Sequence, residues 1–281
     1  RSWFLGFGRF PGCRGGGSVE LCHQYNPELA GLKGAQVSKW SGAAMTDAYD
    51  YDSIDVGYYD AVFHRNQGMQ SKWHQLKFDR IRQELALPVK HLDIACGPGT
   101  FIGSLAENIS SVGVDIAAPQ IDFAKNAYGT NNAQFRHISA GEMPFEAGSF
   151  DAVTSIELIE HLEQDAVAAL LTEARRVMTH QGRIIVSTPD YGGVWPLVEW
   201  LLNRVGDVSY EDQHINKFNK RRLRATLETA GFKNINVRSY LFAAPFAAAL
   251  GWRFADFVEK LEPRFIVDHM GLLLIATAEA P

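Results

Sequence analysis

Three observations predict an α/β fold, a mostly parallel sheet with helices on both faces. From Val89 onward, short apolar runs alternate with helical patterns. The first of these runs ends in an acid, Asp93, and passes through the loop Cys96-Gly97-Pro98-Gly99 into a helical pattern. At 281 residues and 46% hydrophobic, the chain is long and apolar enough to bury a large core.

The elements follow in order. Tyr58, Tyr59, Phe63, Trp73, Leu76, Phe78, Ile81 and Leu85 predict a helix over residues 58–87, stopped by Pro88. This helix either packs on the main domain or caps a site, with Lys72 or Arg65 reaching a bound ligand's carboxylate. The expected strands are Val89–Ala95, Ser111–Ile116, Ala133–Ile138, Phe150–Ile156, Arg183–Ser187, Asn234–Tyr240 and Gly271–Ala278. Helices are expected at Thr100–Asn108, Pro119–Ala127, Gln164–Met178 and Lys220–Ala230, the last capped by Gly231. Residues 191–216 and 241–265 interrupt the alternation and are rich in Trp, Phe and Leu. They read as extra packed helices or as a lid for an apolar substrate.

Domain organisation follows from texture. Residues 1–44 break into glycine-rich, aperiodic sequence and read as a poorly ordered leader, with Met45 a plausible natural start. Residues 45–88 form an N-terminal helical cap, and residues 89–281 the main domain. A net charge of −5, from 27 basic and 32 acidic residues, gives no reason to expect a nucleic-acid partner. Three scattered cysteines fit a reducing, cytoplasmic setting. No apolar run reaches the roughly 20 residues of a membrane span, although the apolar insertions allow peripheral membrane contact.

A strand-to-helix turn with small residues lets a ligand approach backbone N–H groups. A dinucleotide fingerprint wants G-x-G-x-x-G. Here the third glycine, Gly103, is one position late. The run Asp93-Ile94-Ala95-Cys96-Gly97-Pro98-Gly99 instead resembles the first motif of the class I S-adenosylmethionine-dependent methyltransferases, with Ala95 where Gly is more usual. The later motifs follow in order: Asp115 ending the second strand, Ala140–Phe145 after the third, Ser149-Phe150-Asp151 entering the fourth and Gly182-Arg183 opening the fifth. The resemblance, over about residues 58–281, implies a three-layer, doubly wound Rossmann-like sheet of seven strands with the last antiparallel. It also implies that Ala95, Gly97 and Gly99 pass close to S-adenosylmethionine and that Asp115, with Ile116 beside it, holds the ribose. Glu142 and Met143 would meet the adenine. Cys96 reads as an inert, small loop residue.

A second constellation ends strand four, Glu157-Leu158-Ile159-Glu160-His161. If a helical turn begins there, Glu157, Glu160 and His161 share one face. This E-x-x-E-H resembles that of ubiquinone-pathway O-methyltransferases and small-RNA 2′-O-methyltransferases. That likeness implies a divalent cation (Mg²⁺, Mn²⁺ or Zn²⁺) on Glu157, Glu160, His161 and His214. In a metal-free alternative, Glu157 lines the methionine end of the cofactor, and Glu160 and His161 orient loops or move protons. His161 is the candidate base, with His214 the alternative.

The expectation is O-methylation of a small, lipophilic or lipid-linked acceptor, with S-adenosylmethionine as cofactor. RNA 2′-O-methylation and nicotinamide-dependent oxidoreduction are the alternatives, and the oligomeric state stays open.

Overall fold

The computed structural model describes residues 55–85, 90–138, 143–205 and 213–281. The expected leader, the first ten residues of the cap and Glu142 lie outside the described residues.

The elements are α1 (Tyr58–His64), α2 (Gly68–Glu84), β1 (Lys90–Ile94), α3 (Thr100–Gly103), β2 (Ser110–Asp115), α4 (Ala118–Tyr128), β3 (Ala133–His137), β4 (Phe150–Ile156), α5 (Gln164–Val177), β5 (Met178–Pro189), α6 (Trp195–Val205), α7 (Lys220–Thr229), β6 (Lys233–Tyr240), α8 (Ala244–Ala247), α9 (Trp252–Leu261), α10 (Arg264–Met270) and β7 (Leu273–Glu279). A 3₁₀ turn at Ile159–His161 follows β4. The seven strands form one sheet in the order β3-β2-β1-β4-β5-β7-β6. β1 to β5 pair in parallel, and β7 runs antiparallel between β5 and β6.

Side chains alternate faces along a strand, and both faces of this sheet are covered. On one, Leu92, Ile94, Val153, Ile184 and Val186 pack under α5 and α7. On the other, Ala152, Ile185, Leu273 and Ile275 pack under α2 and its neighbours Leu241 and Ala244. Burial on both sides explains why these strands read as continuous apolar runs.

Two local expectations are corrected. The single helix over 58–87 is two, because Asn66 (φ 52°) and Gly68 (φ 81°) adopt left-handed backbone that no α-helix continues through. The helix expected over Thr100–Asn108 lasts one turn. The Tyr128 ring of α4 lies 2.2 Å from where a Cβ on Gly103 would stand, and the Ser104 hydroxyl folds back to the Phe101 carbonyl. Close packing on α4 and a local side-chain hydrogen bond end the helix there.

Candidate active site

The carboxyl ends of the parallel strands form one edge, where open α/β sheets place their ligands. β1 delivers the glycine loop to it, β2 delivers Asp115, and β4 delivers Glu157.

The loop is built for backbone approach. Gly99 has φ 77°, and a Cβ there would strike Phe135 at 2.7 Å and Ala124 at 2.8 Å, so no other residue fits. A Cβ at Gly97 would meet nothing within 4 Å, leaving open space over the backbone, as a bound cofactor requires. Ala95 sits at φ 60°, which explains why glycine is commoner there: the alanine carries left-handed strain. The Asp115 carboxylate ties the loop to β2, accepting from Gly97 N–H and Ala117 N–H, both at 2.8 Å. Each oxygen takes one backbone N–H and retains acceptor capacity for a vicinal diol. Ile116 beside it is 38% exposed, available to cover a flat ring, whereas Met143 is buried in the core.

Asp93, which the resemblance counts among the cofactor-binding residues, stands near the end of β1, just before the loop. It is buried and accepts the Thr154 hydroxyl at 2.5 Å. Thr154 in turn meets His91 Nε2 at 2.8 Å, and His91 Nδ1 meets Ser111 at 3.1 Å. Burial pushes the Asp93 carboxyl up to about 7 against the help of Thr154, and the same desolvation lowers His91 to about 3. The imidazole is therefore neutral. With Thr154 donating to Asp93, His91 carries its proton on Nε2.

The cap closes over this edge. Asp60 of α1 accepts from the Thr100 hydroxyl at 2.9 Å and from Tyr128, and Gly57 N–H donates to Gln120 at 3.1 Å. Lys72, expected to reach the cofactor, instead pairs with Asp256 of α9 and lies 4.7 Å from the Trp252 ring centre. Its reach along the helix is spent on the second insertion, and Arg65 is exposed.

The second constellation departs from one helical face. Glu157 has φ 51°, and only Ile159–His161 form a turn, so the three do not share one helical face. Its carboxylate pairs with Lys77 and accepts from Trp73 Nε1 at 3.3 Å, both on α2. Burial alone would raise this carboxyl, but Lys77 and the indole N–H hold it below the usual carboxylate range. Glu157 is therefore not one of the clustered donors. Among the described residues, Glu160, His161 and His214 do cluster, with one ligand-capable atom from each lying within 4.8 Å of the others.

Within this group, His161 Nδ1 lies 2.9 Å from the Gln213 carbonyl, which accepts only from Nδ1–H and so places the lone pair on Nε2. Burial lowers the His161 pKa despite that carbonyl. His214 lies tilted beside it, ring centres 5.2 Å apart, with Nδ1 2.8 Å from the Tyr191 hydroxyl. Burial and the neighbouring His161 bring His214 down to about 4. Glu160 is 1% exposed and neither carboxyl oxygen has a hydrogen-bond partner among the described residues, the Thr188 hydroxyl lying close but outside bonding geometry. Burial and the Glu157 charge push it up to about 8. Trp195 walls this group, its ring centre 6.1 Å from His214 and 5.7 Å from Trp73.

The edge therefore has a backbone cradle with a diol acceptor on one side and two neutral imidazoles beside a buried acid on the other. Lys77, Trp73, Tyr191 and Glu199 complete it, and their roles were not foreseen. The spacing of Trp73 and Lys77, i and i+4 on one helix face, is the signal that was available. Glu199, 5% exposed within an apolar helix, is another.

Comparison with known proteins agrees with this layout. Residues 92–186 match the family described as a methyltransferase domain. A ubiquinone/menaquinone biosynthesis C-methyltransferase of Rhizobium johnstonii is 25% identical over 227 residues, 67% of this chain and 86% of that protein. A ubiquinone biosynthesis O-methyltransferase of Dechloromonas aromatica is 30% identical over 118 residues, 40% of this chain and 50% of that protein. The chain spans about half the length of several further relatives, and 30% of a Streptomyces fradiae transposon protein. The solved structure of an S-adenosylmethionine-dependent methyltransferase of Thermotoga maritima superimposes with a TM-score of 0.57 at 16% identity, covering 79% of this chain and 94% of that one. Motif order and these matches agree: residues 92–186 form a methyltransferase domain, and the chain has the fold of solved S-adenosylmethionine-dependent methyltransferases.

Proposed function

We propose that this chain methylates a hydroxyl oxygen on a small, lipophilic acceptor. One observation carries the choice of oxygen: a neutral imidazole, His161, held with its lone pair on Nε2 at the edge where β4 adjoins the glycine-loop strand β1. S-adenosylmethionine, when bound, supplies the electrophilic methyl group. Asp115 would hold the ribose diol, and Gly97 and Gly99 would let the cofactor lie on the backbone. His161 Nε2 would take the acceptor's proton as the new C–O bond forms. Trp73, Trp195 and Tyr191 would exclude water and press a planar, apolar acceptor into place.

His214 supports His161 by packing against it and is the alternative base. The C-methyltransferase among the relatives marks carbon as the rival acceptor atom.

One observation favours a second component. The buried, unpartnered Glu160 carboxyl beside two imidazoles is a donor set that suits a divalent cation such as Mg²⁺ or Zn²⁺. In this second reading Glu160, His161 Nε2 and His214 would hold it, His161 would no longer be the base, and the ion itself would acidify a hydroxyl placed on it.

The direct experiment incubates the protein with methyl-labelled S-adenosylmethionine and a lipid-plus-polar metabolite extract. The expected outcome is an ether-linked label on a small lipophilic product. A label on carbon, nitrogen or RNA overturns the acceptor assignment. Elemental analysis of chelator-free protein decides between the two readings: metal in the wild type that is lost in Glu160→Gln supports the cation, and an empty wild type leaves His161 as the base.

A further inference from the structure

We propose that the exposed stripe of α9 docks onto an anionic lipid surface. A soluble amphipathic helix turns its apolar stripe to the core and its charges to water. α9 does the reverse. Its acids are held in ion pairs with the protein: Asp256, half-exposed, pairs with the buried Lys72, and Glu259 accepts from Arg80 at 2.7 Å. Glu262, just past the helix, accepts the N–H groups of Ala243 and Ala244, both at 2.7 Å. Ala255 is fully buried and Val258 packs beside it against the core, with Trp252 against Lys72.

The side turned outward carries Phe254, Phe257 and Leu261, exposed by 44%, 57% and 61%. Their i, i+3, i+7 spacing puts them on one stripe, and the two phenyl rings stack 6.5 Å apart. Leu250 before the helix and Phe265 after it are more exposed still, at 81% and 69%. Arg253 and Lys260 flank the stripe; both are exposed and have no ion-pair partner among the described residues.

Charge complementarity selects the occupant. With both acids of α9 held in ion pairs, the exposed stripe and the positions beside it offer apolar and basic groups. That combination matches an anionic headgroup layer over acyl chains, with the phenyl and leucyl groups entering below the phosphates. A second copy of this chain docked through the same stripe would set Arg253 and Lys260 against their own counterparts, with both acids of α9 already engaged by Lys72 and Arg80. Among the described residues no helix is long and apolar enough to cross a membrane, so the contact is peripheral.

The test is co-sedimentation of the full chain with vesicles of equimolar phosphatidylglycerol and phosphatidylcholine, against vesicles of phosphatidylcholine alone. The wild type is expected to pellet with the first and not the second, and to be partly released by salt. F254S/F257S should fall to background. R253Q/K260Q should partition about 30-fold more weakly, from two basic residues at the surface. R253Q/K260Q alters only exposed side chains, so it carries the test even if the serine variant unfolds. Wild type that stays in the supernatant, pellets equally with both vesicles, or is matched by R253Q/K260Q overturns the proposal. A dimer in light scattering that F254S/F257S converts to a monomer also overturns it, in favour of a second copy. Methyl transfer is not read in these assays, so their failure leaves the acceptor assignment untouched, and the reverse holds.

Discussion

The two halves of the strand edge contrast in how their polar groups are satisfied. At β1 and β2, the Asp115 oxygens are matched by the N–H groups of Gly97 and Ala117, and Asp93 is met by Thr154. At β4 and β5, neither the buried Glu160 carboxyl nor the Trp195 indole N–H has a hydrogen-bond partner among the described residues. A binding cradle profits from being preformed. The half proposed to react keeps unmatched polar groups for what enters it, and the surrounding fold bears their cost.

This contrast breaks most readily at His161. His161→Ala should lower kcat by about 10²–10⁴-fold, the range for a lost general base, while calorimetric affinity for S-adenosylhomocysteine stays unchanged. A parallel fall in affinity would mean that the two halves do not divide holding from reacting. Asp115→Ala should do the opposite, weakening S-adenosylhomocysteine by about 10–100-fold as charge-assisted hydrogen bonds are lost. Wild-type affinity in that variant would remove Asp115 from the cofactor site.

Lys77→Met tests whether α2 belongs to the reacting half. It strands the Glu157 carboxylate and should cost about 3 kcal/mol in urea denaturation, with Glu157→Gln added to the same chain restoring part of the loss. Asp93→Asn tests the holding half through pH. The folded carboxyl titrates at about 7 against an ordinary value of 3.8, so the native state binds the extra proton between those pH values. This group therefore makes stability fall as pH rises through that window, by at most about 1.4 kcal/mol per pH unit. The asparagine variant should lose that slope, and an unchanged profile would place the Asp93 pKa near its ordinary value.

The smallest effect is expected at Ala95→Gly. Relieving φ 60° should add about 1 kcal/mol, raising the melting temperature by a few degrees without moving cofactor affinity.

Much of this molecule is legible in one dimension because its causes are local. Period-two and period-3.6 patterns mark strands and helices, and β4 falls on Phe150–Ile156 as expected. The order of Asp93, the glycine pair and Asp115 marks the cradle, since they lie at the ends of β1 and β2, which pair side by side.

The reacting half could not be read this way. Glu157, Glu160 and His161 are neighbours in sequence and look like one set, yet one left-handed residue sends Glu157 to Lys77 and Trp73 and leaves the others with His214. Lys72 likewise goes to Asp256, 184 residues away. Backbone turns and long-range pairings set where a charged side chain finds its partner, because a buried charge takes whichever counter-charge the packed fold brings within reach. Spacing along the chain identified the residue types for this chemistry, and only the packing of α2, α6 and α9 on the sheet assigned them their partners.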